Sequence, residues 1–197
     1  MNSKPKYHTY RKENAILKFF KRKTDRLIPV IKNPTISGIK VIADDKTGLA
    51  KDIEPIVHYI IDNSNAKVII TTNGSIRKED FYKRLGKYCG RRLSMVIDVD
   101  GVDEQMHQKY RRGTSLKKSL SALKALSTTS AIPLSQTVLF KHNEMYEKKI
   151  KKLAIKNGSK NHISYPSDRF DGHIFNFINE NGEADTLERA VHAKNYM

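Results

Sequence analysis

Asp98, Asp100, His107, Arg111 and Arg112 bring two carboxylates, an imidazole and two guanidiniums into one short stretch of this chain. The segment Met95 to Val99 is apolar except for Asp98 and stops at Asp100-Gly101; a polar segment with His107, Tyr110 and Arg111-Arg112 follows. In open α/β sheets, ligands bind outside the carboxyl ends of strands. Acidic groups and bidentate basic groups gathered at a strand end therefore point to a small-molecule site. The same residues also suit a buried strand followed by a salt-bridged, solvated turn, and at this level both readings stay open.

The elements that must position this stretch follow a βα rhythm. Residues 37–43 read as a strand ending in Asp44-Asp45, after which Asp52 can cap a helix that tolerates Pro55 in its first turn. That helix carries Ile53, Ile56, Val57, Ile60 and Ile61 as one apolar stripe. Lys67 to Thr72 is a second strand, closed by Asn73-Gly74, and a helix follows with Phe81, Leu85 and Tyr88 inward. Past the central strand, Thr114 or Ser115 can cap a helix bearing Leu116, Leu120, Leu123 and Leu126. Pro133 to Phe140 is the next strand, and Asn143 caps a helix through Ile150, Leu153 and Ala154 that stops at Asn157-Gly158. His162 to Tyr165 reads as one more strand, and the tail as a strand, a turn and a charged helix from Thr186. This order predicts a parallel sheet whose strands end on one rim, near Ala43, Thr72, Val99, Phe140 and Tyr165. Ile56, Val57, Ile60, Leu120, Leu123 and Leu153 should be buried behind it.

With 197 residues and 38% apolar content, the chain suits one domain with tails. No stretch is long and apolar enough to span a membrane, and the basic N-terminus has no signal-peptide core, so a cytoplasmic protein is expected. Cys89 is the single cysteine, which excludes an intrachain disulfide and any all-cysteine zinc or iron-sulfur site built by this sequence alone. The formal charge is +16, and residues 1–40 hold eleven Lys or Arg against Glu13 and Asp25. Ala15, Ile16, Phe19 and Phe20 give that segment a helical apolar face. With Tyr7 and Tyr10 ahead of it, it suits either nucleic-acid contact or packing on the sheet.

Taken in order, Thr72-Asn73-Gly74 closing a strand, the segment VIDVDG, His107 with Tyr110-Arg111-Arg112-Gly113, a capped leucine helix, and a strand leading to LFKHN resemble the radical SAM superfamily. Phage-encoded members are the nearest likeness. The resemblance covers residues 36–170 and implies an α/β fold, a partial (β/α)6 TIM-like barrel. It also implies S-adenosylmethionine (SAM) as cofactor beside a [4Fe-4S] cluster, whose electron cleaves SAM to a 5′-deoxyadenosyl radical. By its pattern, Asp98 stands where a serine touches the methionyl or ribose part of SAM, and Arg111 or Arg112 where an arginine grips its carboxylate. Asn73 stands at the mouth beside the cofactor, and Phe140 to Asn143 where the adenine edge is met. Ala43-Asp44-Asp45 replaces the Gly-Gly-Glu that faces the amino group of SAM.

The sequence departs from the pattern in having no C-x-x-x-C-x-x-C, and three thiolates are what leave the fourth iron of a cluster free for SAM. The basic helix at residues 11–23 aligns with the first helix of the family, so the first strand and cluster loop are expected to be missing. The resulting division is a basic N-terminal arm at 1–35, a radical SAM-like partial barrel at 36–170, and a strand, turn and short helix at 171–197. The function expected is that of a truncated or degenerate radical SAM relative. It has a SAM-binding crevice at Asp44, Asp45, Asn73, Asp98, Arg111, Arg112 and Asn143, but no cluster of its own, and it is inactive alone in reductive SAM cleavage. A second chain supplying the cluster segment is the partner this implies. The alternative is a cluster-less protein that binds a partner or nucleic acid, the latter through the basic arm.

Overall fold

Alternation decides the architecture. Along Lys67–Thr72 (β2), Val68 and Ile70 are buried while Lys67 and Ile69 are exposed, so one row of side chains enters a core and the next faces away. The computed structural model describes residues 37–42, 49–167, 172–178 and 182–192. Gly38–Ile42 (β1), β2, Leu93–Asp98 (β3), Ile132–Leu139 (β4) and His162–Pro166 (β5) form a five-stranded sheet in that order, each pair parallel. Helices Leu49–Asn63 (α1), Glu79–Cys89 (α2), Glu104–Tyr110 (α3), Leu116–Ser127 (α4) and Glu147–Lys156 (α5) connect them. A strand order that never reverses, joined by crossovers of one hand, sends successive helices to the same face. The core is accordingly one cluster, in which Val57, Ile60, Phe81, Leu85, Leu123, Leu126, Ile150 and Ala154 of the helices pack on Val68, Ile70, Leu93, Met95 and Ile97 of the strands.

The other face is only partly covered among the described residues: Val138 is buried against the C-terminal hairpin and Tyr110, while the other margin of the face is exposed. The register aligns Ile69 with Ser94 and Ile132, and Asp98 with Gln136 and Ile163. Four large side chains of this face, Ile69, Ile132, Ile163 and Tyr165, are 36 to 59% exposed. Beyond β5 the chain forms a separate antiparallel hairpin, Ile174–Ile178 (β6) with Ala184–Glu188 (β7). It is tied to the end of β4 by an antiparallel bridge between Phe140 and Arg189, and its Leu187 and Phe177 pack with Val138, Phe140 and Tyr110.

Several expectations hold. The five predicted strands are parallel, Ser115 caps α4 by accepting from the Lys118 amide, and Gly158 ends α5 at φ +101°. Others need correction. Tyr88 does not point inward: Tyr82 and Cys89 take the buried positions of α2, and the Tyr88 ring stacks on His58 while its hydroxyl donates to Asp62. Ile56, Leu120 and Leu153 are partly rather than fully buried, at the margins of the core. Pro55 lies inside α1, not in its first turn, because the helix already includes Leu49. The segment from Thr186 is strand, not helix: Thr186 pairs with Asn176 and buries Leu187 on the neighbouring side, so tertiary pairing overrides a charged, helix-compatible composition. No helix among the described residues is long and apolar enough to cross a membrane. The basic N-terminal arm, with its expected helix at 11–23, lies outside the described residues.

Candidate functional site

The carboxyl end of β3 carries the charges. Asp98 is the last residue of β3 and Asp100 follows Val99, so both carboxylates emerge on the face opposite the helix-packed Val99. The chain then turns into α3, where Asp103 caps the helix by accepting from the Met106 amide. One short helix later, Arg111 closes it as the C-cap. That length returns Arg111 over the strand end it left. Its Nη2 lies 2.9 Å from Asp98 Oδ2, and its Nε donates to Asp100 Oδ2 at 2.7 Å. The remaining oxygens are also served: Gln136 Nε2 donates to Asp98 Oδ1 and the Val138 amide to Asp100 Oδ1, both at 2.7 Å. The aspartates are buried, and Tyr110 lies beside the guanidinium with its ring 4.8 Å from Arg111 Cζ. The neighbouring carboxylates hold Arg111 firmly protonated although burial alone would oppose its charge. The Tyr165 hydroxyl, on β5 beyond the neighbouring β4, is pushed up by burial and by the negative charge of Asp98.

His107 supports this turn from below. It is fully buried; the Asp100 amide donates to its Nδ1 at 3.1 Å. The Thr114 hydroxyl donates to the Arg111 carbonyl, which leaves its oxygen to accept from His107 Nε2 at 3.1 Å. The ring is thus assigned the neutral Nε2–H form. Burial, the largest cause, lowers its pKa. Gly101 lets the turn close, since a Cβ there would stand 2.4 Å from the His107 backbone nitrogen. Gly101→Ala is therefore expected to destabilise the fold by about 1–3 kcal/mol through forced backbone movement. Urea unfolding measures this, and a change within experimental error would mean that the turn tolerates expansion.

The structure brings some of the predicted site residues together and separates others. Asp98 and Arg111 meet, but each engages the other. Arg112 points elsewhere: its guanidinium lies 3.5 Å over the Phe177 ring and 3.7 Å from Asp185, so it belongs to the hairpin. Asn143 neither caps a helix through its side chain nor presents an edge to a ligand. It is fully buried, with Nδ2 donating to the Asp100 and Val138 carbonyls and Oδ1 accepting from the Phe140 amide, a clamp between the ends of β3 and β4. Asn73 sits on the rim, where its Oδ1 accepts from the Ser75 amide and its carbonyl from the Ser119 hydroxyl. Asp44 and Asp45 lie outside the described residues.

Sequence reasoning did not include Gln136 in the site; the polar trio Ser135-Gln136-Thr137 inside an apolar strand was the available signal. Asp100, named there only as part of the charged strand end, proves to be as fully engaged by Arg111 as Asp98 is.

The residues do not fit a [4Fe-4S] cluster. Cys89, the only thiol in the sequence, is buried at the end of α2, where burial raises its pKa to about 11. It precedes the start of β3, roughly 16 Å along the strand from Asp98.

No family model matches the chain, and no curated protein matches it. Among solved structures, the chain is similar to SuiB of Streptococcus suis, at 14% identity and a TM-score of 0.62, over 77% of this chain and 34% of that one. It thus spans about a third of the length of SuiB. A 2,3-dimethylmalate lyase of the PEP mutase/isocitrate lyase superfamily matches at 11% identity and a TM-score of 0.45, over 73% of this chain and 62% of that one. The likeness to SuiB concerns fold alone: the chain is an α/β protein built on a five-stranded parallel sheet.

Proposed function

We propose that this chain is a radical SAM-related half-barrel without a cluster of its own, and that it works as a binding domain whose inner sheet face is completed by a partner polypeptide carrying the cluster segment. One observation carries this reading. The rim is polar but internally satisfied, while the sheet face beside it bears the exposed Ile69, Ile132, Ile163 and Tyr165. Parallel sheets are stable with both faces covered, so such a face calls for apolar cover. A free SAM carboxylate, by contrast, would have to displace two buried aspartates from Arg111, and like charge at Asp98 would oppose it.

A photo-crosslinking amino acid at position 163, introduced in the cells that make the protein, tests the reading. Crosslinks to a second polypeptide containing a C-x-x-x-C-x-x-C are expected. Crosslinks confined to this chain would overturn the proposal. Calorimetry with S-adenosylhomocysteine is expected to give no heat below millimolar ligand for the isolated chain. Micromolar binding would return the function to the rim.

A further inference from the structure

Helix α5 and the loop after it carry Lys148, Lys149, Lys151, Lys152, Lys156 and Lys160, all exposed, against the single acid Glu147. No described carboxylate pairs with any of the six; the described salt bridges all lie elsewhere. Lys148, Lys152 and Lys156 follow one another at i, i+4 and i+8 and so form a stripe of ammoniums about 12 Å long. Lys149 and Lys151 flank it. Like charges at i, i+4 destabilise a helix, so this face is built against its own stability in the absence of a counter-charge. The buried side is fully spent on Ile150 and Ala154, which excludes a core reason for the lysines. In the 3-10 turn just before this helix, Met145 and Tyr146 are exposed, and Lys149 Nζ lies 5.3 Å from the centre of the Tyr146 ring.

We propose that this face is a docking surface for single-stranded nucleic acid. The lysine stripe follows the phosphate backbone, and Tyr146 offers a ring on which a base stacks. Regularly spaced ammoniums on a rigid helix match a regularly charged polyanion. The adjacent aromatic and thioether groups distinguish this face from a merely soluble one. The site lies on the helix-covered side of the sheet, away from the partly exposed face, and does not depend on the binding role proposed for that face.

The test uses the full chain and a fluorescein-labelled single-stranded DNA of mixed sequence, followed by anisotropy across a salt series. In the triple variant Lys148→Gln, Lys152→Gln, Lys156→Gln, affinity is expected to fall by about tenfold or more, and the slope of log K against log salt to flatten by about 2. A second triple, Lys78→Gln, Lys87→Gln, Lys117→Gln, removes the same charge from exposed positions on other elements and is expected to change the slope by much less. Tyr146→Ala is expected to weaken binding without changing the slope. Thermal unfolding of each variant checks that it is folded. Equal effects of the two triples would overturn the proposal, since binding would then follow net charge alone. It would equally be overturned if the first triple abolished binding to phosphatidylserine vesicles but left DNA binding intact, which would make the face a membrane surface.

Discussion

Arg111→Ala is expected to destabilise the protein by about 3–5 kcal/mol, the range found when one partner of a buried ion pair is removed. The magnitude follows from what is left behind. Asp98 and Asp100 would be left buried side by side without the guanidinium that now bridges them, while Gln136 and the Val138 amide still donate to them. Arg111→Lys should recover only part of the loss, because an ammonium is a point donor and cannot reproduce the fork that reaches Asp98 through Nη2 and Asp100 through Nε. The measurement is urea unfolding of the wild type and both variants, with Asp98→Asn added to complete a double-mutant cycle between the two side chains. A loss below about 0.5 kcal/mol for Arg111→Ala would sink the idea that this cluster holds the rim together. The experiment also bears on function, since a guanidinium that is indispensable for stability is poorly placed to leave its partners for a ligand.

Acid should unfold the protein earlier than its carboxylates alone would. His162 is buried on the helix side of β5. The Thr137 hydroxyl donates to the Val99 carbonyl and so accepts from His162 Nε2, leaving Nδ1 to accept from the Ser135 hydroxyl at 2.8 Å. Burial, followed by the charge of Lys151, lowers its pKa to about 4. The unfolded chain, with an ordinary imidazole near 6.5, binds the proton first as pH falls. The stabilisation from the neutral ring is therefore complete above about pH 6.5, is lost progressively as pH falls, and is gone below about 4. Its size is on the order of 3 kcal/mol. His107, also lowered by burial, acts in the same direction. Denaturant unfolding between these pH values is expected to show a clearly smaller slope in His162→Gln, whose amide can still serve Ser135 and Thr137. Identical slopes in the two proteins would place the acid sensitivity elsewhere.

Much of the scaffold was legible because it rests on short-range pattern. β2 runs from Lys67 to Thr72 as its β-branched composition indicates, and the order of strands follows from helices long enough to cross between parallel neighbours. The rim was legible only as a place. Arg111 and Arg112 are adjacent, and which of them turns onto the aspartates depends on where α3 ends, a matter of one residue of helical phase. Asn143 precedes a helical segment as a capping residue would. Its amide is instead drawn inward because three buried backbone groups of β3 and β4 need partners there. The strand at Thr186 escaped because its pairing partner, not its own composition, decides its conformation. Local sequence thus indicated where the charges gather; long-range register decided which of them are already taken.

The strand order also shapes how the molecule comes into being. Every strand of the main sheet pairs only with its neighbour in the chain, so a growing polypeptide can add each βα unit to a surface already made, without threading back. The Asp100–Arg111 contact closes over a separation of 11 residues, whereas the bond from the Val138 amide to Asp100 waits for a partner 38 residues away. Chain order therefore predicts that, during synthesis, the acidic end of β3 meets its guanidinium before it meets β4, so that β4 docks against a carboxylate whose charge is already countered. An insertion that lengthened α3 would upset this timetable before it altered any contact of the finished sheet.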